Sequence, residues 1–220
     1  MFIAFEGVDG AGKSTLAPLV TRMLSEAYPA AFRSKSHLPE ESSFARAPME
    51  RLRELLWPDT DIPRLMEYPA HYWVLLQSAW YALATSVTVR PVLASGRMLV
   101  SDGWYYKFLA KASRDGLPNE YLSTVFTHAA VPDLVVYLDL DVGAVYDRNP
   151  YFTFHELGGY QDYGERGRTS YIEHQSLIAA RILELVPAQR ALRVSLAADA
   201  PAEENARRLH TAIVARLETR

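Results

Sequence analysis

The chain of 220 residues contains no cysteine, which excludes structural disulfides and thiolate metal sites. It also has no apolar stretch near the roughly 20 residues that a membrane-spanning helix needs. The net charge of −3 and the pI of about 6.1 lack the basic excess of a nucleic-acid surface. Glu6 interrupts the apolar N-terminus too early for a signal peptide. These absences predict a cytoplasmic protein with no membrane or nucleic-acid partner.

What the chain does have is enough hydrophobic residues, 49%, for one full core, and we expect a single domain over residues 1–220. Apolar runs typical of buried strands alternate with helical patterns, which predicts an α/β fold with a parallel sheet covered on both faces. The predicted strands are 1–5, 31–37, 97–101, 134–138 and 191–196. The predicted helices are 15–24, 49–56, 70–94, 120–128, 169–185 and 202–217.

The strongest motif, Gly7-Val-Asp-Gly-Ala-Gly-Lys-Ser14, lies between the first predicted strand and helix. In that setting it predicts a phosphate-binding loop, whose glycines let backbone N–H groups face phosphate oxygens at a helix N-terminus. Lys13 is spaced to reach the β- and γ-phosphates, and the Ser14 hydroxyl to bind Mg²⁺. We therefore predict ATP and Mg²⁺ as cofactors. The predicted cofactor-binding residues here are Asp9, Gly10, Ala11, Gly12, Lys13, Ser14 and Thr15.

Acidic residues follow two of the later predicted strands, at the sheet edge where parallel α/β proteins bind ligands. Asp102 follows the third strand, and we predict that it acts in catalysis and binds Mg²⁺ together with Ser14. The alternative is that Asp102 caps the segment after it. Asp139 and Asp141, after the fourth strand, are second choices for the metal, with capping or a turn as the alternative.

One face of the predicted helix 70–94 carries Trp73, Gln77 and Tyr81 at i, i+4 and i+8. Core packing is one interpretation of such a stripe. The Gln77 amide favours a planar ligand, because an amide can hydrogen-bond a base edge while rings stack on it. Trp104 is positioned in the sequence to wall the same pocket, so we predict that all four residues bind the substrate.

Residues 149–168 are rich in glycine, tyrosine and charge and have no regular period, which predicts a mobile lid. Arginine is suited to stabilising the charge on a transferring phosphoryl group. We therefore predict that Arg166 and Arg168 take part in catalysis and that Arg148 binds the ATP phosphates. A solvated charged loop is the alternative.

The segment 5–15 resembles the phosphate loop of the thymidylate kinase family, and Asp9 resembles the family's carboxylate for the acceptor sugar. Segments 90–102, 135–139 and 171–175 are similar to later elements of that family. The resemblance implies a three-layer sandwich of the P-loop NTPase type and a phosphotransferase that moves the γ-phosphoryl group of ATP to a nucleoside monophosphate. It also implies a homodimer.

The chain departs from that family where the acceptor would bind. The family usually reads Asp-Arg-Tyr after its third strand, and this chain reads Asp102-Gly103-Trp104. The family usually places Phe followed by Asp-Arg on the helix that holds the base. The corresponding stretch of this chain is Gln77-Ser-Ala-Trp-Tyr81. Glu40 and Glu41 stand near the position expected for an arginine. We therefore predict a thymidylate-kinase-like enzyme with an altered acceptor site.

Three versions of the acceptor stay open at this point. A nucleotide acceptor is held by other residues such as Arg46, Arg51 or Lys107. An uncharged nucleoside is phosphorylated instead, with Glu40 or Glu41 as the general base and Glu40 as a substrate contact. In the third version the protein is an inactive nucleotide-binding relative, favoured by the missing arginine after Asp102.

Overall fold

In the part of the chain that the computed structural model describes, residues 1–39, 43–57, 68–149, 151–158 and 166–219, five strands form one parallel sheet. Their order is β2-β3-β1-β4-β5, so β1, which leads into the phosphate loop, is central. Every residue of β1 is buried, as expected for a parallel strand covered on both faces. The α/β prediction is confirmed. The strands are β1 (Phe2–Glu6), β2 (Ala30–Arg33), β3 (Met98–Ser101), β4 (Leu134–Asp139) and β5 (Ala191–Ser195).

Helices connect the strands and cover both faces of the sheet. The described ones are α1 (Lys13–Leu24), α2 (Ser43–Leu56), α3 (Ala70–Ala84), α4 (Arg90–Ala94), α5 (Tyr106–Arg114), α6 (Asn119–Val125), α7 (Val142–Arg148), α8 (Arg168–Leu185) and α9 (Ala202–Glu218).

Alternate side chains of the strands point to opposite faces and build two cores. Phe2 and Ala4 of β1 belong to the first core, which packs against α3, α5 and α8. Ile3 and Phe5 belong to the second core, which packs against α1 and α9. The sheet thus lies between two helical layers, and its strand ends are free to hold functional residues at one edge.

The predicted helix 70–94 is divided in the structure. α3 continues through a π-helical turn at Thr85–Val89 into α4. Pro91 explains the change, because it has no N–H for the i−4 bond and disturbs the turn that precedes it.

Two helices were not predicted, α5 and α7. α5 buries Tyr106, Leu109 and Ala110 at i, i+3 and i+4, which is a helical pattern. α7 begins at an N-cap, because the Asp141 carboxylate accepts the Ala144 N–H at 2.7 Å.

The described part of the predicted lid is packed against the body of the protein. Phe152 lies with its ring centroid 5.3 Å from Tyr146 and 4.3 Å from Tyr171. Residues 150 and 159–165 of the predicted lid lie outside the described part, and Arg168 is already the first residue of α8. No helix among the described residues is long and apolar enough to cross a membrane.

Candidate nucleotide site

The phosphate loop joins β1 to α1 and has the backbone that its glycines allow. Gly10 and Gly12 have φ values of 77° and 90°, a left-handed conformation that other residues rarely adopt. An added Cβ on Gly10 would lie 3.1 Å from atoms of both Phe152 and Val145, so a side chain at this position would press against both residues. In the described ranges no acceptor is found for the N–H of Gly10 or Gly12, so both can bind an anion at the start of α1.

Lys13 lies across the phosphate loop and is almost fully buried. Its Nζ donates hydrogen bonds to the carbonyl oxygens of Gly7, at 2.9 Å, and Val8, at 2.7 Å. Burial, followed by the positive charge of Lys107, lowers the pKa of Lys13 to about 7. Nearby phosphate would favour its charged form, so this ammonium fits a phosphate-bearing ligand.

Asp9, inside the loop, is held from three sides. Its carboxylate forms an ion pair with Lys107 of α5 and accepts a hydrogen bond from Nε2 of Gln175 at 3.0 Å. Its N–H donates to Oε1 of Gln175 at 3.0 Å, and its carbonyl oxygen accepts from the Tyr171 hydroxyl. The two residues of α8 and one of α5 therefore meet at this single position of the loop.

The charges around Asp9 decide its ionisation. Burial by itself would raise the pKa of Asp9, but the positive charges of Lys107, Lys111 and Lys13 outweigh that effect. They hold the pKa well below its ordinary value of 3.8, so the carboxylate is ionised near neutral pH.

Glu6 is the last residue of β1, and Asp102 directly follows β3. The two strands are neighbours, since Ala4 of β1 pairs with Ser101 of β3. Asp102 Oδ1 accepts the N–H of Lys35 at 2.8 Å, and it does not cap α5. Glu6 Oε1 accepts the N–H of Trp104 at 3.1 Å, and burial raises the pKa of Glu6. Both carboxylates thus lie at the edge of the sheet from which the phosphate loop leaves.

A magnesium ion fits this edge only in combination with substrate phosphates. The described residues contain no cluster of three or more acidic or histidine side chains that could hold a metal ion by themselves. Mg²⁺ is usually bound by one or two protein oxygens, several waters and the phosphates of its nucleotide. The exposed Ser14 at the start of α1 and Asp102 after β3 are oxygen ligands of this kind.

The three predicted arginines lie in different surroundings. Arg148 donates to the carbonyl oxygens of Gly10, at 2.7 Å, and Ala198, at 2.9 Å, and so touches the phosphate loop itself. Arg168 forms a bidentate ion pair with Asp147 on the surface, with N–O distances of 2.8 and 2.9 Å. The Arg166 guanidinium lies 5.5 Å from the ring centre of Phe154.

The predicted base-binding face of α3 has one unusual feature. Gln77 is buried, and its Oε1 has no hydrogen-bond partner among the described residues. A buried amide oxygen without a partner costs free energy, so this atom is suited to a donor on a ligand. Trp73, one turn earlier, is half-buried against the rings of Tyr72 and Tyr68.

Tyr81 and Trp104 are placed in the first core rather than on an open pocket. The Tyr81 hydroxyl donates to the Trp104 carbonyl oxygen at 3.1 Å, and the indole N–H of Trp104 donates to Ala130 at 2.7 Å. Their polar atoms are already engaged in these hydrogen bonds, and their role in substrate binding stays a prediction. The core interpretation of the aromatic stripe fits Tyr81.

The remaining predicted residues lie at the phosphate loop and the start of α1, in the undescribed part of the chain, or at the end of β4 and just after it. Ala11 is buried, with its N–H bonded to Val8, and Thr15 is exposed in the first turn of α1. Glu40, predicted as a general base, lies outside the described residues. Of the second-choice metal ligands, Asp141 caps α7, and Asp139 pairs with Arg193, whose Nε lies 2.8 Å from Oδ2.

Sequence reasoning did not place Gln175, Tyr171, Lys35 and Lys111 around Asp9. The sequence did contain a signal for Lys107 and Lys111. They are four residues apart in the segment after Asp102, so they share one face if that segment is a helix. Nothing in the sequence pattern indicated that Gln175, 166 residues from Asp9, reaches the phosphate loop.

Comparison with known proteins identifies relatives of this chain. No protein-family model matches it. It is 32% identical over 147 residues to a probable thymidylate kinase of Thermococcus onnurineus, covering 64% of this chain and 67% of that protein. A probable thymidylate kinase of Thermococcus gammatolerans is 31% identical, with 64% and 66% covered, and the thymidylate kinase of Leptospira borgpetersenii is 29% identical, with 67% of each covered. The chain thus spans about two thirds of the length of these curated relatives.

The parallel sheet, the phosphate loop after its central strand and the helical layers on both faces define an α/β protein of the P-loop NTPase class. Within that class, the curated relatives described above are thymidylate kinases or probable thymidylate kinases. The chain belongs to the thymidylate kinase family.

Proposed function

We propose that this protein transfers the γ-phosphoryl group of ATP to the phosphate of a nucleoside monophosphate, with thymidylate as the first acceptor to test. The observation that carries the proposal is the position of Asp9, which lies in the phosphate loop and is ionised beside a group of lysines. One carboxylate can therefore face a sugar hydroxyl of the acceptor while the same loop holds the donor phosphates. The names of the relatives support this reaction for the family.

In the proposed site, the N–H groups of Gly10 and Gly12, together with Lys13, bind the donor phosphates. Ser14 and Asp102 would hold Mg²⁺, which supplies charge neutralisation on the phosphates when bound. Phosphoryl transfer requires mostly positioning and charge stabilisation from the protein. The rigid loop and the buried ammonium of Lys13 meet that requirement.

Arg148, Arg166 and Arg168 are proposed to act on the transferring group from the segment next to α7 and α8. Arg148 already contacts the loop at Gly10, so the site could recruit it with a small movement. Arg168 would have to leave Asp147, an exposed ion pair of the kind that contributes little to stability.

Gln77 is proposed to read the base, with Trp73 near it on the same helix face. The unpartnered Oε1 of Gln77 would accept a hydrogen bond from a base edge. The relatives give no support for a changed acceptor, and their names do not favour an uncharged nucleoside. The replaced residues at 77–81 and Gly103 therefore concern how the acceptor is held.

The test is ADP formation from Mg-ATP across a panel of nucleoside 5′-monophosphates and the matching nucleosides. We expect turnover with a monophosphate and a loss of at least about 100-fold in kcat/KM for Lys13→Ala, because its charge stabilises the transferring group. Arg208→Ala, on the surface of α9, serves as the control and should keep wild-type activity. Turnover confined to nucleosides, or activity that survives in Lys13→Ala, would refute the proposal.

A further inference from the structure

The chain uses lysine at only four positions, 13, 35, 107 and 111, against 19 arginines. The structure brings all four lysines to one place. Lys107 forms the ion pair with Asp9, and the charges of Lys13, Lys111 and Lys35 act on Asp9 as well. Since the arginines are spread over the whole sequence, the collection of every lysine at this one carboxylate is a property of the site.

Lys107 and Lys111 lie one turn apart on α5, so both face the phosphate loop from the same side. Lys107 is buried, and Lys111 is partly exposed. Apolar residues such as Leu109 and Ala110 also anchor α5 in the first core.

Lys35 reaches the same place from the segment after β2. Its N–H is bonded to Asp102, and its side chain passes over Gly103, where an added Cβ would lie 3.2 Å from Lys35 Cδ. A side chain at position 103 would therefore compete with Lys35 for space. Glycine stands here where the family usually has arginine, and the aliphatic stem of Lys35 occupies the room that this glycine leaves.

Among the described residues, Lys107 is the one lysine of the four with a carboxylate within ion-pair distance. The carboxylates of Asp9, Asp102 and Glu156 act on one or more of these lysines, and burial raises the pKa of the neighbouring Glu6. Burial is the largest effect on Lys35 and on Lys111, and the pKa of both is lowered. The next largest effect is the charge of Lys107 on Lys35 and the charge of Asp9 on Lys111. Gathering like charges in a buried place opposes folding, and an anionic ligand would relieve that cost.

We propose that Lys35, Lys107 and Lys111 bind the phosphate group of the acceptor, a nucleoside 5′-monophosphate dianion, in place of the arginine that Gly103 replaces. Lys13 is left for the donor phosphates. A lysine ammonium binds phosphate as a compact point charge, so three of them can surround a dianion without the fixed fork of arginine. The identity of the acceptor rests on the proposed function, and the three-lysine phosphate site is the new assignment.

The experiment measures binding by calorimetry, without ATP, for a panel of nucleoside 5′-monophosphates that includes thymidylate, each against its nucleoside. Wild-type protein should bind at least one monophosphate about tenfold or more tightly than its nucleoside, since each charge-assisted contact is worth about that factor. Lys111→Met and Lys35→Met should each weaken monophosphate binding about tenfold, with binding of the nucleoside and of a non-hydrolysable ATP analogue changed less than about twofold.

Thermal unfolding of the same variants separates a binding role from a structural one. Because burial disfavours the charged form of both lysines, Lys111→Met and Lys35→Met should unfold at the wild-type temperature or higher while binding the monophosphate more weakly. Arg208→Met removes one positive charge from the surface of α9 and should change neither property.

The outcomes distinguish this inference from the proposed reaction. Lysine-dependent binding of a monophosphate without turnover would leave the phosphate site standing and reject the kinase reaction. Turnover of a monophosphate with unchanged affinity in both lysine variants would reject the phosphate site and leave the reaction standing. Equal affinity for monophosphate and nucleoside, or no binding of any monophosphate, overturns the inference.

Discussion

At the scale of the residue, Asp9 is the point where the phosphate loop, α5 and α8 meet. Its side chain is only 16% exposed, yet its carboxylate is ionised, because Lys107 and two further lysines act on it. Breaking such a pair leaves an uncompensated buried charge, which costs far more than the pair itself contributes. The electrostatics of the site are therefore visible in stability as well as in activity.

We expect Asp9→Asn to lower the free energy of unfolding at pH 7 by about 2–4 kcal/mol, since Lys107 loses its buried partner. The folded-state pKa of Asp9 is depressed, so its contribution is present above the unfolded value near 3.8 and is lost as the pH falls through the lower folded value. Urea unfolding from pH 8 to pH 3 should show a constant difference down to about pH 5 that closes in acid.

Asp199→Asn, at an exposed position before α9, is the matched control for this experiment and should show no such closing difference. A gap between wild type and Asp9→Asn that stays constant down to pH 3 would contradict the assignment of a buried ion pair to Asp9.

At the scale of the element, α8 is attached to the phosphate loop by side-chain hydrogen bonds. The Gln175 amide accepts from the Asp9 N–H and donates to the Asp9 carboxylate and to the Glu156 carbonyl oxygen, with distances of 3.0, 3.0 and 2.9 Å. One amide thus joins the loop, the middle of α8 and the described part of the predicted lid. The loop owes its position to α8 as much as to its own glycines.

Gln175→Leu keeps the volume of the side chain and removes all three hydrogen bonds. We expect a loss of about 2–4 kcal/mol in the free energy of unfolding, because buried groups of Asp9 lose their partners. The KM for ATP should rise several-fold, since the loop is less well ordered for binding. Chemical denaturation and steady-state kinetics measure the two effects.

Gln189→Leu, on the exposed turn before β5, is the control and should stay within about 0.5 kcal/mol of wild type. Unchanged stability of Gln175→Leu would show that the amide does not hold the loop.

At the scale of the whole molecule, the sheet separates two cores that share β1, β3 and β4. The buried Trp80 and Trp104 lie in the first core, with α3 and α5. Ile213 of α9 lies in the second core and is fully buried. Because both cores pack on the same strands, we expect the chain to unfold as the single domain that its composition predicts.

Ile213→Ala tests this expectation through probes on opposite faces of the sheet. The cavity should lower the free energy of unfolding by about 2–5 kcal/mol. Tryptophan fluorescence reports on the first core and far-ultraviolet circular dichroism on all helices, and both should shift to the same lower urea midpoint.

Ile182→Ala, in α8 on the first core, is the matched cavity variant and should behave in the same way. Fluorescence that keeps its wild-type midpoint in Ile213→Ala while circular dichroism shifts would mean that the two faces unfold as separate units.

Much of the fold was predictable because its signals are local. The apolar runs of β1 and β4, and the helical spacing of α8 and α9, appear within a few residues of the sequence and survive in the structure. The short α5 and α7 were missed, since α5 begins among aromatic residues and α7 has only seven residues with an aspartate cap as its signal. The homodimer expected from the family stays a prediction.

The sequence by itself determined the phosphate loop, because all of its chemistry lies in eight consecutive residues between a strand and a helix. Only the tertiary structure decided what surrounds Asp9. Lys35, Lys107 and Gln175 come from three separate elements, and the order of the strands brings those elements to one edge of the sheet. The same packing places Tyr81 and Trp104 in the first core. Their burial depends on which helix covers which face of the sheet and not on spacing along one helix.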